Sequence, residues 1–193
     1  MALSGGSTPW QMLALLVDRE IDWEFVHVFQ VDERQAPDGD TDRNLTHIRD
    51  LFTDRVGMDP ERVHAMPVNV ETLEDGAAIY ANILAKVVGY PAILDLVHLG
   101  MGSDGHTASL LPGDALLDET SADVGVTSEY QGHRRMSLTY PAINRARRIL
   151  WLVNGADKAE MLGRTITGDA SIPAGRVKQE RATVITDIPA ADK

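Results

Sequence analysis

The sequence predicts an α/β domain built on a mostly parallel sheet. Two patterns carry that expectation. Short apolar runs recur at 25–31 (FVHVFQV), 93–99 (ILDLVHL), 149–153 (ILWLV) and 182–185 (ATVI). Runs of this length read as buried strands. Between them lie longer helical patterns, at 9–19, 44–56, 72–88 and 157–165, and alternation of strand with helix is the signature of a parallel sheet. Weaker strands are expected at 63–66, 124–127 and 136–139. Thr8 suits the N-cap of the first helix and Pro9 its first position, where a missing N–H is harmless. Only three residues precede Ser4, whereas parallel strands usually run about 5–6 residues. The first strand is therefore expected to be truncated, with upstream residues missing.

Composition narrows the function. A chain of 193 residues fits one domain over 1–193, large enough to bury a core. No apolar run approaches the ~18 residues of a membrane span, and the N-terminus lacks the basic and apolar regions of a signal peptide. There is no cysteine, which excludes disulfides, thiolate zinc sites and cysteine nucleophiles and fits a cytoplasmic location. Eighteen Lys and Arg against 29 Asp and Glu give a net charge of −11. Such a chain repels nucleic acid and anionic membrane. Any anionic small molecule must be held by a few chosen cations and backbone N–H groups.

Five segments carry chemistry. Ser4-Gly5-Gly6-Ser7-Thr8-Pro9 joins a strand end to a helix start. Its glycines let the backbone approach a ligand, its hydroxyls and the helix N-terminus suit an anion, and it lacks the spacing of a Walker motif. Asp32-Glu33-Arg34 follows the strand at 25–31, where ligands of open α/β sheets bind; the alternative is a solvated loop with a surface ion pair. Gly100 to Ser109 (GMGSDGHTAS) follows the strand at 93–99 and is the most informative. Asp104 and His106 bracket Gly105, Gly102 keeps the loop tight, and a histidine titrating near neutrality can take a proton from water. A metal at this pair lacks a third ligand at usual spacing. Arg135, entering a strand, can clamp a phosphate through its guanidinium, as can its neighbour Arg134. In Pro173 to Lys178, Gly175 marks a turn from which Arg176 or Lys178 would reach an anion. His27 and His98 read as packing residues within strands.

Taken in this order, SGGSTP, DER, the helix containing Asn44, GMGSDGHTASLLPG and TYPAIN resemble the 6-phosphogluconolactonase family, and the resemblance runs from Leu3 onward. GMGSDGHTAS is highly specific, whereas SGGSTP is shared with the related glucosamine-6-phosphate isomerases. Those relatives usually show an asparagine before the Gly-His pair and Asn-Glu-Pro after it; here Asp104 precedes and Ala108 to Gly113 follow. The resemblance implies a three-layer α/β/α domain with a mostly parallel, Rossmann-like sheet, here lacking the family's first helix and part of its first strand. It implies hydrolysis of 6-phospho-D-glucono-1,5-lactone in the oxidative pentose phosphate pathway, without cofactor or metal, by a monomer or weak homo-oligomer. In this scheme His106 is the general base and Asp104 orients it. Arg34 or backbone N–H groups meet the oxyanion. Ser4, Gly5, Gly6, Ser7, Thr8, Asp32, Asn44, Gly102, Arg135 and Lys178 bind the substrate and its phosphate. Two other readings remain, an isomerase or deaminase of an amino-sugar phosphate using Asp32 as base, and a non-catalytic phosphosugar sensor.

Overall fold

The computed structural model describes residues 1–188. Among these residues nine strands form two sheets. The larger is fully parallel, in the order β4 (Val63–His64), β2 (Val28–Gln30), β1 (Ala2–Leu3), β5 (Val97–Leu99), β8 (Ile149–Val153) and β9 (Ala182–Thr186). From β1 the chain first builds outward through β2 and β4, then returns to the other flank of β1 and builds through β5, β8 and β9. The order therefore reverses between β1 and β5, and in such sheets the crevice beyond the carboxyl ends at this point is where ligands bind.

β1 holds the centre although it is short. Ala2 and Leu3 are buried, and main-chain bonds secure it on both sides: the Ala2 amide to Leu96 O at 2.8 Å, and the Phe29 and Val31 amides to Met1 O and Leu3 O at 2.8 and 2.9 Å. Alternation along the strands sends Ala2, Phe29, Val97, Leu99 and Trp151 to one face, where α3 (Leu73–Val88) packs. It sends Leu3 and Val28 to the other, with Leu13 of α1 (Ser7–Leu16) and Ile48 of α2 (Asn44–Ile48). Helices thus cover both faces, as a parallel sheet requires.

The smaller sheet is antiparallel, in the order β3 (Asp32–Arg34), β7 (Arg135–Leu138) and β6 (Val124–Val126). The chain changes sheets at Val31, whose carbonyl accepts from the Leu138 amide at 2.8 Å. The expected strand at 25–31 therefore shrinks to Val28–Gln30, and Trp23–Phe25 forms a 3-10 turn. Asp32–Arg34, expected to follow that strand and with a solvated loop as the alternative, is a strand of its own. Likewise 93–99 narrows to Val97–Leu99, the residues that pair with Ile149–Trp151 of β8, while β1 pairs only at Val97. The first helix starts at Ser7 with Gly6, not Thr8, at its N-cap. The helix expected at 44–56 is α-helical only to Ile48 and continues as a π-helix over Arg49–Thr53. A short helix over Tyr140–Arg145 (α4) was not expected, whereas α5 (Ala159–Ile166) and β8 lie where the pattern puts them.

His98 in β5 is a packing residue of an unusual kind: 1% exposed, with neither ring nitrogen partnered among the described residues. Burial pushes its pKa down from 6.5 to about 4. As pH falls below 6.5 the unfolded chain takes up a proton that the folded chain refuses, so stability drops between about pH 6.5 and 4 and levels off below. The expected loss from this residue is about 3 kcal/mol. Urea melts across that range should show the loss in wild type and a correspondingly flatter curve in His98→Leu; identical slopes would refute the assignment.

Candidate active site

A cleft of about 260 Å³ opens at the carboxyl ends of β1, β5 and β8. Its floor is the turn from β1 into α1. Ser4, buried, donates its hydroxyl to His98 O at 3.0 Å and so ties the turn to β5. Gly5 lies against Asn44 so closely that a Cβ there would fall 1.8 Å from Asn44 Oδ1. Gly6 is the N-cap, and no side chain caps α1. The first amides of the helix, at Ser7 and Thr8, therefore face the cleft with the positive end of the helix dipole behind them. This arrangement favours an anion.

One wall comes from the second sheet. Antiparallel register sets Arg34 beside Arg135 and Asp32 beside Ser137, which brings two guanidinium groups together. Arg34 donates through Nη1 to Asp42 O at 2.8 Å. Arg135 is only 4% exposed and donates through Nη2 to Gln131 Oε1 at 3.2 Å, while its Nε has no partner among the described residues. Asp32 accepts from Ser109 Oγ at 2.7 Å, and Asn44 Nδ2 reaches its main-chain oxygen at 3.0 Å. Burial pushes the Asp32 carboxyl above the usual range, against the opposing pull of Ser109 and the two arginines.

The opposite wall is the loop after β5. Gly102 N–H bonds His106 O at 2.9 Å and Gly105 N–H bonds Gly102 O at 3.0 Å, closing a tight turn. A Cβ on Gly102 would lie 2.2 Å from the imidazole, so only glycine lets the ring sit there. His106 Nδ1 is 2.6 Å from Asp104 Oδ1, which also accepts from the His106 amide at 3.1 Å. Partial burial draws the Asp104 carboxyl up, but the hydrogen bonds and charge of His106 together hold it below the usual range. An ionised Asp104 can only accept, so Nδ1 carries the proton and Nε2 is left with a lone pair. His106 lines the cleft, so this pair can remove a proton from a molecule bound there.

Most residues singled out from the sequence thus meet in one cleft. Lys178 does not. It lies by Asn144 and Arg181, near the start of β8, and its amide donates to Asn144 Oδ1 at 2.8 Å. The other uncertain cations also lie elsewhere: Arg134 pairs with Glu74 at 2.6 Å, and Arg176 donates to Ala170 O at 2.9 Å. Of these four only Arg135 lines the cleft. The lysine that does so is Lys158, at the N-cap of α5 just after β8, which was missed. Its position after a strand and a Gly155 turn was the available signal. No three His, Cys, Asp or Glu side chains converge as metal ligands would among the described residues.

The family model described as glucosamine-6-phosphate isomerases/6-phosphogluconolactonase matches residues 1–186. The chain belongs to this family. It is 36% identical over 174 residues to the 6-phosphogluconolactonase of Synechocystis sp., covering 88% of this chain and 72% of that one. To the 6-phosphogluconolactonase of Mycobacterium leprae it is 38% identical over 207 aligned positions, covering 100% and 84%. The crystal structure of 6-phosphogluconolactonase from Thermotoga maritima superposes with a TM-score of 0.85 at 27% identity, over 96% of this chain and 83% of that one. A monomeric glucosamine-6-phosphate deaminase superposes at 0.80 with 19% identity, over 96% and 84%, a likeness of fold alone. Both branches of the family therefore share this sheet, and the residues in the cleft must separate them.

Proposed function

We propose that this chain hydrolyses 6-phospho-D-glucono-1,5-lactone to 6-phosphogluconate, with His106 as general base. The observation that carries the reading is the Asp104–His106 pair across the cleft from a cationic cradle. A δ-lactone is a reactive ester, so a water, a base and an oxyanion partner suffice. His106 Nε2 takes a proton from water, and the hydroxide adds to C1. The oxyanion meets Arg34, since the Gly102 and Gly105 amides are engaged within their own turn. When the C1–O5 bond breaks, the imidazolium returns its proton to O5 and the open-chain acid leaves. The phosphate sits on Gly5, Gly6, Ser7 and Thr8 between Arg135 and Lys158, and its binding energy holds C1 in register with the base. The role first expected of Lys178 passes to Lys158. Asp32 and Asn44 shape the wall beside that cradle, where the sugar hydroxyls lie. An acidic, cysteine-free chain acting on a small phosphorylated metabolite suits the cytosol, as a monomer or weak homo-oligomer.

The test is hydrolysis of freshly made lactone against its spontaneous opening, with glucosamine 6-phosphate as competing substrate. Turnover of the lactone alone is expected; consumption of the amino sugar would favour an isomerase using Asp32, and binding without either reaction would favour a sensor. Lys158→Ala should raise KM for the phosphorylated lactone about tenfold, the size of a lost charge-assisted hydrogen bond, and leave kcat within about threefold. An unchanged KM would remove Lys158 from the phosphate site.

A further inference from the structure

We propose that Tyr130 is a positioning residue that aims the Arg135 guanidinium into the cleft, and so sets the preference for a phosphorylated lactone. The proposal rests on the reading of Arg135 as a phosphate ligand. Arg135 leaves β7 with its guanidinium carbon 5.0 Å from the centre of the Tyr130 ring, a cation–π contact. The same ring meets the His106 imidazole edge-on, with centroids 6.4 Å apart and planes at 64°. Tyr130 therefore stands between the base and the anion clamp and touches both, without lining the cleft itself.

The backbone is built to present this ring. Tyr130 and His133 exchange main-chain bonds, Tyr130 N–H to His133 O at 2.9 Å and His133 N–H to Tyr130 O at 3.2 Å. The two residues between them both have positive φ, Gln131 at 52° and Gly132 at 80°. This is the two-residue hairpin geometry that matches strand twist. Glycine is at ease there; glutamine is not, and a strained side chain persists where its surroundings hold it. Here Gln131 Oε1 accepts from Arg135 Nη2 at 3.2 Å. The hairpin is pinned from its far side by His133, whose Nδ1 lies 3.1 Å from Gln35 O and whose Nε2 lies 3.2 Å from Asp42 Oδ2. Arg34 also donates to Asp42 O. The tip is thus fastened to the loop after β3, and Tyr130 is held over Arg135 rather than left to swing. With one face covered by the ring and Nη2 tied to Gln131, the guanidinium is fixed in the position from which Arg135 lines the cleft.

The experiment is steady-state kinetics of wild type, Tyr130→Leu, Tyr130→Phe and Arg135→Ala on the phosphorylated lactone and on unphosphorylated glucono-1,5-lactone. Tyr130→Leu should lower the ratio of kcat/KM between the two lactones about tenfold, mainly through KM of the phosphorylated one. Tyr130→Phe, which keeps the ring, should recover most of that loss. In an Arg135→Ala background Tyr130→Leu should lower the ratio no further. If Arg135→Ala leaves the ratio intact, the phosphate reading of Arg135 fails and the proposal falls with it. If Arg135→Ala lowers the ratio but Tyr130→Leu does not, or lowers both substrates equally, the proposal alone is overturned.

Discussion

His106→Asn should cut lactone turnover by about 10²–10⁴-fold, the usual contribution of a positioned base, while binding of 6-phosphogluconate stays within about threefold of wild type. The substitution keeps a planar polar side chain whose Nδ2 can stand where the ring's Nδ1 stood. It also falls on a ring whose side chain is 27% exposed, so little packing is lost. What disappears is the lone pair at Nε2, since an amide does not take a proton near neutrality. Asp104→Asn is the graded companion. The amide oxygen still accepts from Nδ1 at the 2.6 Å separation seen for the carboxylate, so the tautomer survives. The negative charge that stabilises the imidazolium does not, and a smaller loss than that of His106→Asn is expected. Initial rates over the spontaneous background, with product affinity by calorimetry, decide the matter. Near-normal turnover in His106→Asn would mean that another group activates the water, whereas loss of product binding would mean that the ring holds substrate instead.

The parts of this site legible in the sequence share one property: they lie within a few residues of each other on a turn after an apolar run. Asp104 and His106 are two apart, and any tight turn after the strand at 93–99 brings them together. The cradle at Ser4 to Thr8 is readable for the same reason, because glycines, hydroxyls and a helix start fall in five consecutive positions. What was hidden depends on how distant segments meet. Arg135 is selected over Arg134 by the register of β3 with β7, and that ladder is too short to announce itself. Lys158 resembles any lysine on a solvated turn. The direction of the strands, however, separates Lys158 from Lys178: the first follows β8 and emerges at its carboxyl end, whereas the second precedes β9 and lies at the amino end. In a parallel sheet the ligand side is the carboxyl side, so strand polarity carried information that proximity to a glycine did not. The change of sheet at Val31 was likewise invisible, because a continuous apolar run does not reveal where its hydrogen bonds pass to new partners.

Glu33 should prove the most damaging residue to remove from the region around the cleft, although it lines none of it. It is fully buried. Oε1 accepts from the Arg34 and Asn44 amides at 2.9 and 2.8 Å, and Oε2 from Gln30 Nε2 and the Leu45 amide at 2.7 and 2.9 Å. Arg43, itself 2% exposed, places Nε 3.0 Å from Oε2, close enough for an ion pair although the N–H is not aligned as a hydrogen bond. The carboxylate thus caps α2, which has no cap of its own, and neutralises a buried guanidinium. Glu33→Ala leaves four donors without their acceptor and leaves Arg43 only the exposed Asp38, 2.9 Å from its Nη1, as counter-charge; removing one member of a buried pair costs about 3–5 kcal/mol. That is a large fraction of the ~5–15 kcal/mol that holds a domain of this kind together. Glu33→Gln keeps the shape but turns an NH2 toward donors that need an oxygen, so it should also destabilise. The double variant Glu33→Ala/Arg43→Met, which removes both charges, should lose less than the sum of the single changes. The damage then reaches the site through Asn44, whose amide Glu33 fixes and whose side chain fills the space beside Gly5. Urea denaturation of these variants and of Arg43→Met measures the effect; an unfolding free energy for Glu33→Ala within about 1 kcal/mol of wild type would mean that water or Asp38 takes over the buried arginine, and that Asn44 is held by its contacts with Asp32 and Gly5 alone.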